Sequence, residues 1–391
     1  MSKRVALQGH FAVSEAVRMA DVDVVAAYPI TPQTQIVERI AEMVSNGDLH
    51  ASYIPVESEH SAMSACSGAS SVGARTFTAS CGQGFLLMHE VFYWVASVRQ
   101  PVVMAVTNRA IGPPNGIWCD YSDAMTARDT GWIQMFALNN QEAFDLILAG
   151  FRIAEDNDVL LPLMVNLDGF TLSHVIEPVI LPEQEDVDKF LPKNQHPAVL
   201  HPDTPMTYGT VLMPDLYAEN KRALDAVVRG SKDVINKSWK EFGDQFGRYY
   251  DPVDCYRTED AEAILMTMGS LSETAKLSID EKRNKNVKVG LVIMRLWRPF
   301  PFQELLSAIK SAKILIVFDR CISHGGPGGP VCAEVKSALY EMRHTIKVIG
   351  FVGALGGRNL SVEQFEYMID KGIDAAISGS DDLYQTVGIR G

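Results

Sequence analysis

The chain has 391 residues, enough for two or three ordinary domains with sizeable cores. Apolar residues make up 47% and charged residues 21%, a globular composition and not a disordered one. The formal net charge of −13 argues against a nucleic-acid partner, which needs a basic footprint, and points to solubility or to a basic patch on a partner protein.

The longest apolar runs, such as Val159–Val165, contain a proline and fall far short of a membrane span. Met1-Ser2-Lys3-Arg4 leads into a strand-like VALQG and not into a long apolar h-region, so the expected location is the cytoplasm. Cys66, Cys81, Cys119, Cys255, Cys321 and Cys332 are scattered, with no CxxC and no close His. That spacing supports neither an iron–sulfur cluster nor a metal site within this chain, and reduced, mostly buried thiols are expected.

In chain order, residues 5–9 read as a first strand, followed by a helix with Val13, Ala16, Val17 and Ala20 on one face. Residues 23–28 (DVVAAY) have the continuous apolar pattern of a strand buried on both faces. In Pro29-Ile30-Thr31-Pro32, Thr31 suits an N-cap and Pro32 a first helical position, and the helix that follows sets Ile36, Val37, Ile40, Ala41 and Val44 on one stripe. Residues 53–90 then give a short strand, an acidic turn at Glu57-Ser58-Glu59-His60 and a helix rich in Ala, Ser and Gly. A strand over 75–80 leads into the turn Cys81-Gly82-Gln83-Gly84 and another helix. A buried strand over 101–107 ends in Asn108-Arg109-Ala110 and a loop with Gly112, Pro113, Pro114 and Gly116. The region 132–137, a helix over 141–155 and a strand over 160–167 complete a β–α alternation, which predicts a mostly parallel sheet with helices on both faces.

Prolines and acidic residues interrupt the pattern from about 176, where one amphipathic helix is predicted over 216–242. Strands at 263–268, 287–295, 314–319 and 346–352 define a second α/β unit. The expected organisation is residues 1–175, a Pro-rich connecting or subunit-contact segment over 176–260, and a smaller α/β domain over 261–391.

There is no GxGxxG after the first strand, no GxxxxGK[ST] and no HExxH, so a nucleotide-binding or metalloprotease reading has no anchor. Ligands of open α/β sheets bind at the carboxyl ends of the strands, where both turns of residues 53–90 fall. On residue chemistry alone Glu57 and Glu59 could both be helix-dipole charges, and Glu59 could equally touch proton chemistry. Arg109 could form an ordinary ion pair or present its planar fork to a substrate carboxylate. The Cys81–Gly84 turn serves either tight packing or close approach of a ligand to backbone N–H groups. The turn His324-Gly325-Gly326-Pro327-Gly328-Gly329-Pro330 could bind an anion at the helix that follows, or be a rigid interface loop.

AYPITPQT (27–34), PVESEHSA (55–62), GARTFTAS (73–80), TNRA (107–110), RDTGWIQ (128–134) and LLPLMVNLDGF (160–170) occur in one order. With HGGPGGP in the second half, they resemble the α subunit of the 2-oxoacid:ferredoxin oxidoreductases, the pyruvate synthase group, over essentially the whole chain. The resemblance implies an α/β fold in which a mostly parallel domain binding the pyrimidine end of thiamine diphosphate is followed by a transketolase-C-terminal-like domain. It implies that Glu59 binds the pyrimidine ring nitrogen and that Arg109 and Thr31 face the substrate. It also places Pro29, Ile30, Cys81, Gly82 and Gln83 around the cofactor. A β subunit would carry the diphosphate and Mg²⁺, and γ- and δ-type subunits would carry or support 4Fe–4S clusters. CoA would take the acyl group, and electrons would go to ferredoxin or another acceptor.

The chain departs from the group at AIGPPNGIWCDYSD (110–123), against something like ALSAPLNIWxDHSD, and at SCGQGF (80–85), against a TSSQGL-like turn. Gly112 and Gly116 remove side chains, while Phe85, Trp118 and Tyr121 add aromatic surface. Pyruvate is the leading substrate, with phenylglyoxylate as a bulkier alternative. A catalytically silent assembly subunit is the alternative of another class.

Overall fold

In the computed structural model, residues 2–193, 196–343, 345–379 and 384–390 are described, so Met1, residues 194–195 and parts of the C-terminal unit lie outside the described residues. A seven-stranded sheet runs in the spatial order Leu296–Arg298, Ile133–Phe136, Leu163–Asp168, Val103–Asn108, Thr76–Ser80, Val24–Ala27, Ser52–Pro55. Every neighbouring pair is parallel except the first, where Leu296–Arg298 returns antiparallel from the second half of the chain.

The sheet is two-sided because its central strands are buried at every position, so alternate side chains feed opposite cores. Phe77, Val103 and Ala105 join the helices Gly9–Met19, Thr34–Asn46 and Asn140–Ala154 on one face. Met104, Val106 and Met164 join Glu59–Ser71, Gly82–Leu87 and His89–Ser97 on the other.

The first strand is an exception to the expected alternation. Lys3–Gln8 is not part of the parallel sheet but pairs antiparallel with Ile176–Leu181 in a separate two-stranded ribbon. Its alternation is incomplete, with only partial burial along its length, and a strand of that kind suits a ribbon and not a buried sheet.

The second sheet has six strands in the order Gln385–Thr386, Lys347–Val352, Ile314–Asp319, Ala263–Thr267, Val289–Met294, Val253–Tyr256, all parallel except the last. Between the sheets in sequence lies the helix Pro214–Phe246, with 33 residues. Its buried residues all belong to the C-terminal half, where Ile235, Trp239 and Phe242 pack on Asn140–Ala154 and its neighbours. No helix among the described residues is long and apolar enough to cross a membrane.

A buried ion pair joins the two sheets. Asp168, at the end of its strand, accepts from Arg320 Nη1 at 2.5 Å, from Tyr121 Oη at 2.7 Å and from the Ser270 hydroxyl and backbone N–H. Gly269 makes room for the Tyr121 hydroxyl at that junction, since its φ of +67° and the adjacent Tyr121 and Asp168 oxygens both exclude a Cβ.

Candidate active site

The strands Val24–Ala27, Thr76–Ser80 and Val103–Asn108 run in one direction, so the loops after them, 28–33, 81–84 and 109–123, meet at one edge of the sheet. Glu59 enters the same edge from the start of its helix. Ser58 caps that helix, its Oγ accepting from Ser61 N at 3.2 Å. Glu57 turns to solvent and accepts from Ser61 Oγ at 2.7 Å, which holds its carboxyl below the usual carboxylate range. Glu59 turns inward and is 6% exposed. No group among the described residues forms a hydrogen bond or ion pair with its carboxylate. Its oxygens keep contact with the open side of the crevice, where a ligand could supply a donor.

What makes room for Glu59 is Gly84. A Cβ there would fall inside the contact radius of Glu59 Oε1 and Cδ. The Gly-rich turn thus serves close approach, but of a side chain. Its first N–H, from Gly82, is not free for a ligand, because it donates to Asp123 Oδ2 at 2.9 Å.

Thr31 and Arg109 are brought together. Arg109 Nη1 donates to the Thr31 carbonyl at 2.9 Å, and Nε to the Gly116 carbonyl at 2.9 Å. Its Nη2 has no partner among the described residues. Cys81 Sγ also donates to the Thr31 carbonyl, at 3.2 Å, and burial pushes that thiol up to about 12. Pro29 and Thr31 are exposed, Ile30, Gln83 and Arg109 are half-buried, and Cys81 and Gly82 are buried, which gives a crevice open on one side. The Gln83 Oε1 atom is buried with no partner, a second polar group in the crevice without a hydrogen bond.

Thr31 does not cap the helix expected to begin at Pro32. The helix starts at Thr34, and the turn before it is closed by Gln33, whose N–H donates to the Ile30 carbonyl at 2.7 Å and whose Oε1 accepts from Ile30 N at 3.2 Å. The Thr31 carbonyl is committed to Arg109 and Cys81, which holds the chain in a turn for one step longer.

Phe85 and Tyr121 do not line a pocket. Phe85 is fully buried with its ring 4.7 Å from Phe92, and Tyr121 is 2% exposed and bonded to Asp168. Trp118 is exposed and packs its ring tilted against Phe170, with centroids 4.3 Å apart, on the side of Gly357. The anion site imagined at the HGGPGGP turn is occupied by the chain itself: Asp319 accepts from Val331 N at 2.8 Å and Cys332 N at 2.9 Å at the start of helix Pro330–Glu341.

Sequence reasoning missed Asp123, a fully buried carboxylate that takes four hydrogen bonds at the centre of the crevice wall. Its place in a short polar loop string, CDYSD, carries no pattern that separates it from a solvated acid.

Two family models match the chain: pyruvate flavodoxin/ferredoxin oxidoreductase, thiamine diphosphate-binding, over residues 15–239, and pyruvate:ferredoxin oxidoreductase core domain II over 261–365. The chain is 46% identical to the pyruvate synthase subunit PorA of Methanothermobacter thermautotrophicus over 358 residues, 92% of each chain. Against the pyruvate synthase subunit PorA of Thermotoga maritima it is 44% identical over 390 residues, 99% of this chain and 98% of the other. It is 43% identical over 358 residues to the ketoisovalerate oxidoreductase subunit VorA of Pyrococcus horikoshii, covering 91% and 90%. Among solved structures, the 2-oxoglutarate:ferredoxin oxidoreductase of Magnetococcus marinus superposes with a TM-score of 0.71 at 19% identity, over 95% of this chain and 65% of that one. A split-gene transketolase, an inactive β4 tetramer, superposes with a TM-score of 0.59 at 12% identity over 95% and 99%. These structural likenesses speak to the fold, an α/β chain of two mostly parallel sheets.

Proposed function

Because this chain belongs to the pyruvate flavodoxin/ferredoxin oxidoreductase family, we propose that it is the α subunit of a multi-subunit, thiamine-diphosphate-dependent 2-oxoacid:acceptor oxidoreductase. The reaction is the CoA-acylating oxidative decarboxylation of a 2-oxoacid, and pyruvate leads because the relatives at 44–46% identity are named pyruvate synthase subunits. Residues 1–175 are taken as the pyrimidine-binding domain, 176–260 as the connecting and subunit-contact segment, and 261–391 as the transketolase-C-terminal-like domain. A β subunit with the diphosphate and Mg²⁺ site, γ- and δ-type subunits with 4Fe–4S clusters, CoA, and ferredoxin or another acceptor complete the assembly. A cytoplasmic location belongs to the same reading, in keeping with six unpaired cysteines.

The observation that carries the proposal is the inward, unpartnered Glu59 carboxylate, held against Gly84 beside the Arg109–Thr31 pair. Thiamine diphosphate, when bound beside Glu59, would supply a nucleophilic carbon and an electron sink for decarboxylation of the 2-oxoacid. Glu59 holds a proton at the aminopyrimidine ring nitrogen, which tunes the cofactor's basicity. Arg109 turns its free Nη2 edge to the substrate carboxylate, and Thr31 orients the oxo oxygen. Pro29, Ile30, Cys81, Gly82 and Gln83 wall the pyrimidine end, with Cys81 and Gly82 buried at its base.

The test is CoA-dependent dye reduction by the purified complex with pyruvate, 3-methyl-2-oxobutanoate and phenylglyoxylate. Pyruvate is expected to turn over fastest, and Glu59→Gln in the intact complex to lower kcat by about 10²–10⁴-fold. Near-normal turnover by that variant would instead mark this chain as a silent assembly subunit.

A further inference from the structure

We propose that Asp123 is the positioning residue of this site: its buried carboxylate ties Arg109 and the Cys81–Gly84 turn into one rigid unit, so that substrate cation and cofactor wall keep a fixed relation. The proposal rests on the reading of Arg109 as the substrate-facing cation.

The geometry is that of a staple between two loops. Asp123 Oδ2 accepts from Gly82 N at 2.9 Å and from Arg109 N at 2.8 Å, so one oxygen bridges both segments. Asp123 Oδ1 accepts from Asn108 Nδ2 at 3.0 Å and from Ala124 N at 2.7 Å. Asn108 Nδ2 also donates to Asn166 Oδ1 at 3.0 Å, which anchors the staple to the next strand of the sheet. The two segments are in contact besides: a Cβ on Gly82 would lie 3.0 Å from Arg109 Cδ, and Gly82 has a φ of +49°. Asp123 holds the Arg109 main chain and leaves the guanidinium to Gly116, Thr31 and a ligand.

Only a carboxylate fits this position. All four partners are N–H donors, and an ionised Asp is acceptor-only. An amide of the same shape would aim its NH₂ at two of them and leave those donors buried without acceptors.

Burial lifts the Asp123 carboxyl to about 6. Burial pushes Cys81 and Cys321 up to about 12 and Cys119 well above its usual value, so all three stay protonated. The Arg109 guanidinium faces the Gly116 and Thr31 carbonyls. Asp120 is turned to Ser122 and Gly356, and Asp168 and Arg320 are paired with each other. A carboxyl raised in the folded state adds stability below its ordinary range, and that contribution is lost as pH rises through about 6. The staple has the opposite dependence, since it is complete when Asp123 is ionised and opens as pH falls through the same value. Substrate affinity and thermal stability therefore part company on acidification, which a merely structural carboxylate would not produce.

The experiment measures initial rates of the assembled complex over a range of pyruvate concentrations, from about pH 5 to about pH 8, for wild type and Asp123→Asn, with thermal melting of both. The wild-type KM is expected to rise below about pH 6 while the melting temperature does not fall with it. The Asp123→Asn KM is expected to be raised about tenfold at every pH, without the acid-side rise. An unchanged KM in that variant, or a wild-type KM flat with pH while pyruvate turns over normally, overturns the proposal and leaves the functional reading standing. If Asp123→Asn does not assemble, the wild-type pH dependence decides alone. A wild-type complex with no 2-oxoacid-dependent activity overturns the functional reading and this proposal with it.

Discussion

The aim of Glu59 is decided by a residue with no side chain. Gly84 is the one place in the turn where any Cβ would displace the carboxylate, so Gly84→Ala acts on Glu59 at a distance of 25 residues in sequence. We expect that substitution to cost about 1–3 kcal/mol of stability by overpacking. We also expect it to reduce turnover by about 100-fold or more if Glu59 has the proposed proton-holding role. Melting of the complex and dye-reduction rates measure the two effects separately, and full turnover with lowered stability would mean that Glu59 reaches its target by another path. At this scale the sequence was only partly legible. Glu57 and Glu59 look equivalent as letters near a helix start, and only the cap at Ser58 sends one to Ser61 and solvent and the other inward. Asp123 was not legible at all, since its four donors come from Gly82, Asn108, Arg109 and Ala124, of which Gly82 lies 41 residues away.

Among the elements, the long helix Pro214–Phe246 is two objects in one. Its C-terminal half buries Ile235, Trp239 and Phe242, whereas its first turns expose Leu216 and Tyr217. We expect Trp239→Ala to destabilise the chain by about 3–5 kcal/mol. Leu216→Ala should stay within about ±0.5 kcal/mol in the isolated chain. Thermal denaturation measures both, and equal losses at the two positions would show that the first half is buried in solution. Amphipathic spacing was enough to expect this helix over 216–242, but not to tell which half meets a core, because burial depends on what lies opposite. The ribbon of Lys3–Gln8 and Ile176–Leu181 makes the same point for strands: a short apolar run predicts a strand, while its partner, more than 160 residues away, decides the sheet. The start of the second helix at Thr34 instead of Pro32 was likewise set by contacts to Arg109 and Cys81, which no local capping rule contains.

For the molecule as a whole, the two sheets are held by charges buried between them. Arg320 comes from the second sheet and Asp168 from the first, and both are nearly fully buried. Arg295 repeats the arrangement, with Glu142 at 2.8 Å and Asp254 beside it. We expect Arg320→Met to cost about 3–5 kcal/mol, since it removes the ion-pair partner of Asp168 in a buried junction and leaves Tyr121 and Ser270 as its donors. Thermal melting tests this, and a cost below about 1 kcal/mol would mean that the junction admits water. The order of β and α segments and the apolar strands by themselves determined two mostly parallel sheets, because strands buried on both faces and helices at 3.6-residue spacing are local patterns that chain composition writes directly. The motif strings also placed Thr31, Glu59 and Arg109 after strands or at helix starts, hence at one edge of the sheet. Only the tertiary structure decided what each of those side chains touches. It took Phe85 and Tyr121 out of the pocket, closed the helix start at Pro330 with Asp319, and set Asp123 under Arg109. Those outcomes depend on hydrogen bonds and contacts between segments far apart in the chain, and such pairings have no local signature.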